Sequence, residues 1–189
     1  MGALSVEQLS KFGFGSIGEN VLISDKASIY NPKKIHLGNN VRIDDFTILS
    51  AGEEGIFLGN NVHIACYVSI IGAAKIQIGN FSGISARTSI YSSNDDYSGN
   101  SLTGPTIPMR FRTVTTTPVL IGQHVIVGVN SVILPGVSIG DGVSIGAMSL
   151  VKINCNPWGV YFGIPAQFIK ERSKELLKLE ENYIKSKNG

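Results

Sequence analysis

The sequence predicts an all-β parallel β-helix wound into about six triangular coils, and three observations predict it. An aliphatic residue recurs every six positions, a glycine marks the same place in each group of three repeats, and all extra residues fall at one point in the cycle. A six-residue period is neither the 3.6 of a helix nor the alternation of a long strand. It describes a short strand and a turn, three to a coil, with each coil burying its apolar side only by stacking on the next.

The aliphatic series runs Ile17, Ile23, Ile29; Leu37, Ile43, Leu49; Leu58, Ile64, Ile70; and Ile78, Ile84, Ile90. After a gap it resumes at Ile121, Val127, Ile133, Ile139, Ile145 and Val151, which completes eighteen hexads in six blocks. Gly18, Gly38, Gly59, Gly79, Gly122 and Gly140 follow the first aliphatic of each block, as backbone freedom or close approach at a turn requires. Four residues after most aliphatics stands a small or β-branched side chain, such as Val41, Thr47, Ser82, Thr88 or Ser131, sized for a narrow interior. Insertions occur only after the third hexad of a coil, so one corner carries them all. The largest, residues 92–118, is a loop in composition, with Gly99, Gly104, Pro105, Pro108 and a polar run from Thr113 to Thr117. Long loops in compact proteins tend to be functional.

The ends depart from the repeat. Residues 1–16 are expected to form an N-terminal cap, opened by a capping box at Ser5-Val6-Glu7-Gln8. Residues 17–156 form the repeat domain, and residues 157–189 a C-terminal turn and amphipathic α-helix. Ile169, Leu176, Leu179 and Tyr183 follow helical spacing among Lys and Glu, on a helix expected to cover a neighbour or the open end of the coil stack.

Composition narrows the function. With 16 basic and 14 acidic residues the charge is nearly balanced, and no dense Lys/Arg cluster suggests a nucleic-acid footprint. No apolar run reaches the ~18 residues of a membrane span, and no leader-like N-terminus is seen. Cys66 and Cys155 stand far apart with no metal or redox spacing, so both are read as structural. A cytoplasmic setting is the expectation.

The hexads, the loop, the run from Ile126 to Gly140 (IVGVNSVILPGVSIG) and the closing Gly163-Ile164-Pro165-Ala166 resemble the hexapeptide-repeat acetyltransferases. Within them, the sugar O- and N-acetyltransferases of surface-polysaccharide synthesis are nearest in pattern. The resemblance spans about Ile17 to Lys170. It implies a left-handed β-helix, a homotrimer with sites between subunits, acetyl-CoA as donor and a sugar or nucleotide sugar as acceptor, in O-antigen or capsular polysaccharide synthesis.

Acyl transfer from a thioester needs a base for the acceptor, a donor for the tetrahedral intermediate and a groove for CoA. Relatives place a catalytic His near the large loop, after a Tyr-Ser strand end. Here Tyr91-Ser92-Ser93-Asn94-Asp95-Asp96-Tyr97 stands instead, with Asn-Asp in place of Asn-His. His63, at an outward hexad position within VHIA, and the acids Asp95 and Asp96 are therefore the catalytic candidates. Each has a plain alternative: a solvated surface His, or acids that simply form turns. Asn94, Tyr97 and His124 are the substrate-binding candidates, with His124 read as facing outward and His36 as sitting at an inserted corner. An amine acceptor needs less base assistance than an alcohol, so the missing loop His favours an amino sugar while a hydroxyl stays open.

For the cofactor, the resemblance points to the backbone of Gly128, Val129 and Ala147, to Lys152, and to Lys170 near the adenosine phosphate with Arg172 behind it. Trp158, Tyr161 and Phe162 can stack on adenine or pack under the C-terminal segment. No metal is expected. A γ-type carbonic anhydrase needs three converging histidines, whereas His36, His63 and His124 belong to different coils. Acetylation of a non-sugar alcohol such as an antibiotic, and a trimeric scaffold without activity, are the remaining alternatives.

Overall fold

The computed structural model describes residues 2–187. Three parallel sheets form the faces of a left-handed triangular prism. The first face stacks Ser16–Ile17, Ile35–Leu37, Ile56–Leu58, Ile76–Ile78, Val119–Ile121 and Ser138–Ile139. The second stacks Leu22–Ile23, Arg42–Ile43, His63–Ile64, Gly83–Ile84, Ile126–Val127 and Ser144–Ile145. The third stacks Ser28–Tyr30, Ile48–Ala51, Ser69–Gly72, Ser89–Tyr91, Val132–Ile133 and Leu150–Val151. The six coils are continuous across the long insertion, because Ile78 pairs directly with Ile121 and Ile90 with Ile133.

The repeating aliphatics point inward and stack in columns. Ile43, Leu49, Ile64, Ile70, Ile90, Val127 and Ile133 are wholly buried, and each such side chain stabilises the fold by roughly 1.5–3 kcal/mol. Only the open N-terminal coil leaves its series partly uncovered, with Ile17 at 41% exposure. The small polar residues at the second inward position tie coil to coil. Thr47 donates to the Ala65 carbonyl at 3.0 Å, Ser82 to Gly122 at 3.0 Å and Ser131 to Gly146 at 3.1 Å. A buried hydroxyl is tolerated there because a carbonyl of the next coil accepts from it.

Close approach is the reason for the recurring glycine. At the corner between the first and second faces, Asn39, Asn60 and Asn80 each accept a backbone N–H from the coil below at 2.7–2.8 Å. A Cβ on Gly59 would lie 2.4 Å from Asn80 Oδ1, so the ladder of carboxamides requires the bare position. The next corner residue adopts the left-handed conformation in most coils: Asn20, Asn40, Asn61, Phe81, His124 and Trp158 all have φ between 54° and 61°.

Helix α1 (Val6–Phe12) carries the capping box the sequence predicts, with reciprocal bonds between Ser5 and Gln8, and buries Leu9. The far end differs from the expectation in two ways. Ile169 lies not on a helix but in a strand, Ala166–Glu171, which folds back antiparallel on Gly159–Gly163 and extends the second face. The chain reverses at Gly163-Ile164-Pro165, and Pro165 lacks the N–H that a continuing helix would use. Helix α2 (Leu176–Lys187) then lies along its own chain rather than over the prism end. It runs down the corner between the first and second faces, where Tyr183 reaches Asn61 and meets Phe81 edge-on. Among the described residues no helix is long and apolar enough to cross a membrane.

Candidate functional site

The outward side of the second face is the most functional-looking surface of the prism. Side chains alternate along a strand, so Arg42, His63, Gly83 and Ile126 form one outward column. His63 Nε2 lies 2.8 Å from Asp44 Oδ2, and Arg42 Nε donates to Asp44 Oδ1 at 2.7 Å. Burial opposes the Asp44 charge, yet the bonds from Arg42 and His63 outweigh it and hold this carboxyl below its ordinary value. The Asp44 contact orients the His63 ring, and Nδ1 has no hydrogen bond among the described residues.

Next to His63 the column opens. A Cβ on Gly83 would meet nothing within 4 Å, so a notch lies between His63 and Ile126. The chain then turns the corner between the second and third faces through Ser85, which stacks between Ala65 below and Gly128 above. At Gly128 a Cβ would stand 2.4 Å from the Ala147 nitrogen, so the wall there is bare backbone. Val129 and Ala147 are exposed beside it. The structure thus brings Gly128, Val129 and Ala147 together on the face that carries His63, with Ser85 between them. The sequence alone does not single out Ser85, since a serine at an outward hexad position is unremarkable. What marks it is its place two residues after Gly83 and directly below Gly128.

The long loop is an ordered hairpin. Ser93–Asp95 pairs antiparallel with Val114–Thr116, and Asp95 faces Val114. The adjacent acids have separate surroundings. Asp96 accepts from the hydroxyl and backbone of both Ser98 and Ser101, and these bonds, those from Ser98 foremost, lower its pKa to about 2. Asp96 is therefore an organiser of the loop, with both oxygens committed. Asp95 is half-buried, and its carboxylate has no hydrogen bond or ion pair among the described residues. Asn94 is half-buried on the same strand, and Tyr97 is almost wholly exposed.

Three expectations are corrected here. His124 does not face solvent: it is 6% exposed, stacked between Phe81 and Trp158, with Nε2 at 3.0 Å from Glu180 Oε2 of helix α2. Its left-handed corner position and the helix laid over that corner bury it, although it still lines a small cleft between the corner and α2 with Phe81, Leu179 and Tyr183. His36 lies within a first-face strand, stacked on Phe57 at 4.6 Å, rather than at a corner. Arg172 is not a free phosphate ligand, because its Nη1 donates to the carbonyls of His124 and Gly142 and anchors the start of α2's approach.

Lys152 is exposed after the last third-face strand, and Lys170 is exposed on the C-terminal hairpin opposite Val160. Trp158 packs at the corner near His124, Tyr161 is buried, and Phe162 remains open. Burial pushes the Cys155 thiol up to about 11, as suits a structural residue. Among the described residues no three His, Cys, Asp or Glu side chains group in a way that could hold a metal ion. Within one chain, the hairpin and the groove beside His63 leave opposite edges of the third face.

Residues 118–152 match the family described as bacterial transferase hexapeptide, six repeats. The chain is 50% identical, over its whole length and 98% of the relative's, to a dTDP-4-amino-4,6-dideoxy-D-glucose acyltransferase of Escherichia coli. It is 34% identical over 78% of its length, and 76% of the relative's, to a putative lipopolysaccharide biosynthesis O-acetyl transferase, WbbJ, of E. coli K12. Among solved structures, the N-acyltransferase AntD of Bacillus cereus, in complex with dTDP and 3-hydroxybutyryl-CoA, covers all of both chains at 48% identity and a TM-score of 0.95. Other AntD structures carry CoA with dTDP or dTDP-4-amino-4,6-dideoxyglucose, and include variants at a serine and at an aspartate ten positions later.

Proposed function

Because this chain belongs to the hexapeptide-repeat family of sugar acyltransferases, we propose that it transfers a short acyl group from acyl-CoA to the amine of a nucleotide-linked 4-amino-4,6-dideoxyhexose. The observation that carries this reading is the full-length likeness to an acyltransferase of that substrate. The donor is acetyl-CoA or a short hydroxyacyl-CoA, as in the AntD complex. Both substrates are soluble metabolites of the cytoplasm, where the product would feed surface-polysaccharide assembly.

In the proposed site the thioester lies along Gly128, Val129 and Ala147, with Lys152 and Lys170 toward the phosphates of CoA. The bare backbone at Gly128 supports this placement, since it lets a linear chain approach the wall closely. Ser85 and Asp95 are ten residues apart, the same spacing as the serine and aspartate varied in AntD, which supports a role for both. The amine nitrogen attacks the thioester carbon, and Asp95 accepts the proton it releases. Collapse of the tetrahedral intermediate breaks the C–S bond, and the proton passes to the departing thiolate. Ser85 donates toward the developing oxyanion, while His63, oriented by Asp44, lines the groove. Groove and hairpin leave different edges of one chain, so the site is completed in a homotrimer, by the hairpin of a neighbouring subunit carrying Asn94, Asp95 and Tyr97.

Incubation with dTDP-4-amino-4,6-dideoxyglucose and acetyl- or 3-hydroxybutyryl-CoA should release one thiol per acyl group gained by the sugar, read by mass spectrometry. Thiol release with a hydroxy sugar nucleotide but none with the amino sugar would overturn the N-acyl reading.

A further inference from the structure

Two buried side-chain nitrogens lack a hydrogen bond among the described residues, His124 Nε2 and Arg112 Nε. The first has Glu180 at 3.0 Å, close but poorly aligned, and so is electrostatically accounted for. The second has nothing. A guanidinium is always charged and its Nε–H is a strong donor, so leaving it dry and unmatched is costly. An unmatched donor of this kind points to an acceptor supplied from outside the chain.

The surroundings of Arg112 specify where that acceptor would sit. Arg112 is in extended conformation, φ −132° and ψ 150°, two residues before Val114. Arg112 thus stands just beyond the hairpin ladder, bridged to Leu102 and two residues from Val114, the cross-strand partner of Asp95. The segment is held firmly. The Arg112 N–H donates to the Met109 carbonyl, the Leu102 N–H donates to the Phe111 carbonyl, and the Thr113 N–H donates to Ser101, whose hydroxyl donates to Asp96. The Asp96 knot thus fixes the spacing between Asp95 and Arg112.

We propose that Arg112 binds the diphosphate of the acceptor while Asp95 meets its amine, an assignment that rests on the amino-sugar reading above. In a 4-amino hexose linked through C1, amine and phosphate project from opposite ends of one pyranose ring. That separation is slightly more than a ring width, so the two groups of the acceptor call for two protein groups near one another, as Asp95 and Arg112 are in the loop held by Asp96. An arginine fork suits phosphate oxygens geometrically as a lysine does not. The hairpin then measures the acceptor at both ends, and discriminates a nucleotide-linked sugar from a free one.

Calorimetric titration of dTDP, thymidine and CoA into wild type, Arg112→Ala and Arg112→Lys tests this. The alanine variant should weaken dTDP at least tenfold and the lysine variant less, with thymidine and CoA unchanged, and with KM for the acceptor rising more than kcat falls. Unchanged dTDP affinity, a parallel loss for CoA or thymidine, or loss of the folded hairpin by proteolysis would overturn it, as would a wild type that binds no nucleoside diphosphate. If dTDP binding depends on Arg112 but no amino sugar is acylated, the phosphate site stands and the reaction falls. If the amino sugar is acylated equally well by Arg112→Ala, the reaction stands and the phosphate site falls.

Discussion

The coils and the hairpin that interrupts them are built by opposite rules. In a coil almost every side chain is assigned by its place in the hexad, and apolar columns are tied by buried hydroxyls that donate to carbonyls of the next coil. His124 Nε2, under helix α2, is the one buried side-chain nitrogen of the coils lacking a hydrogen bond among the described residues. In the hairpin few side chains are buried, order comes from polar knots such as that around Asp96, and a carboxylate and a guanidinium nitrogen remain unmatched. The contrast teaches that the prism provides rigidity and a groove, while unsatisfied chemistry is concentrated where the repeat is suspended.

Excising residues 94–116 should break this comparison most visibly. Ser92 and Thr117 already bond across the base of the loop, so the prism should fold with little change in melting temperature. Acyl transfer should fall by at least about 10²–10⁴, the contribution of a lost base. Collapse of the prism would show that the hairpin is structural. Conversely, Ile84→Ala empties a core site that is 1% exposed. It should cost about 2–5 kcal/mol in urea unfolding, with acyl transfer by the remaining folded protein retained.

Smaller effects sharpen the picture. Lys170→Ala should weaken CoA by about two- to fivefold, the scale of an exposed charge contact, and dephospho-CoA hardly at all. Equal losses would remove Lys170 from the 3′-phosphate. Acid should affect the hairpin in its own way. The folded pKa of Asp96 is about 2, below its ordinary 3.8. A depressed carboxyl contributes stability that is full above 3.8 and lost as pH falls toward 2. Protection of the Ser98 and Ser101 amides, relative to their intrinsic exchange at each pH, should therefore fall in that window in wild type, whereas Asp96→Asn should be poorly protected throughout. Unchanged protection in wild type would contradict the knot.

The coil interior was legible because the period of the sequence is the period of the structure, and every residue in the aliphatic series proved to point into the prism or its open end. His124 was misread because its hexad position predicts exposure, whereas a later helix covers it. A vertical reading of that corner column held the signal: Asn20, Asn40 and Asn61 give way to Phe81, His124 and Trp158, aromatic where α2 and the last turn lie against it. Ile169 fitted a helical spacing by coincidence, and Pro165 was the better guide. In the loop no period exists. The two neighbouring acids looked equivalent, and only the positions of Ser98 and Ser101 distinguish them.

That distinction is the most direct test of the division between loop organisation and chemistry. The measurement is turnover of Asp95→Asn and Asp96→Asn side by side, each with melting temperature and oligomeric state recorded. Asp95→Asn should lose about 10²–10⁴ in kcat with the hairpin intact. Asp96→Asn should keep most of its kcat when saturated with acceptor, while its hairpin becomes more open to protease. Equal losses in the two variants, or an active Asp95→Asn, would contradict the account.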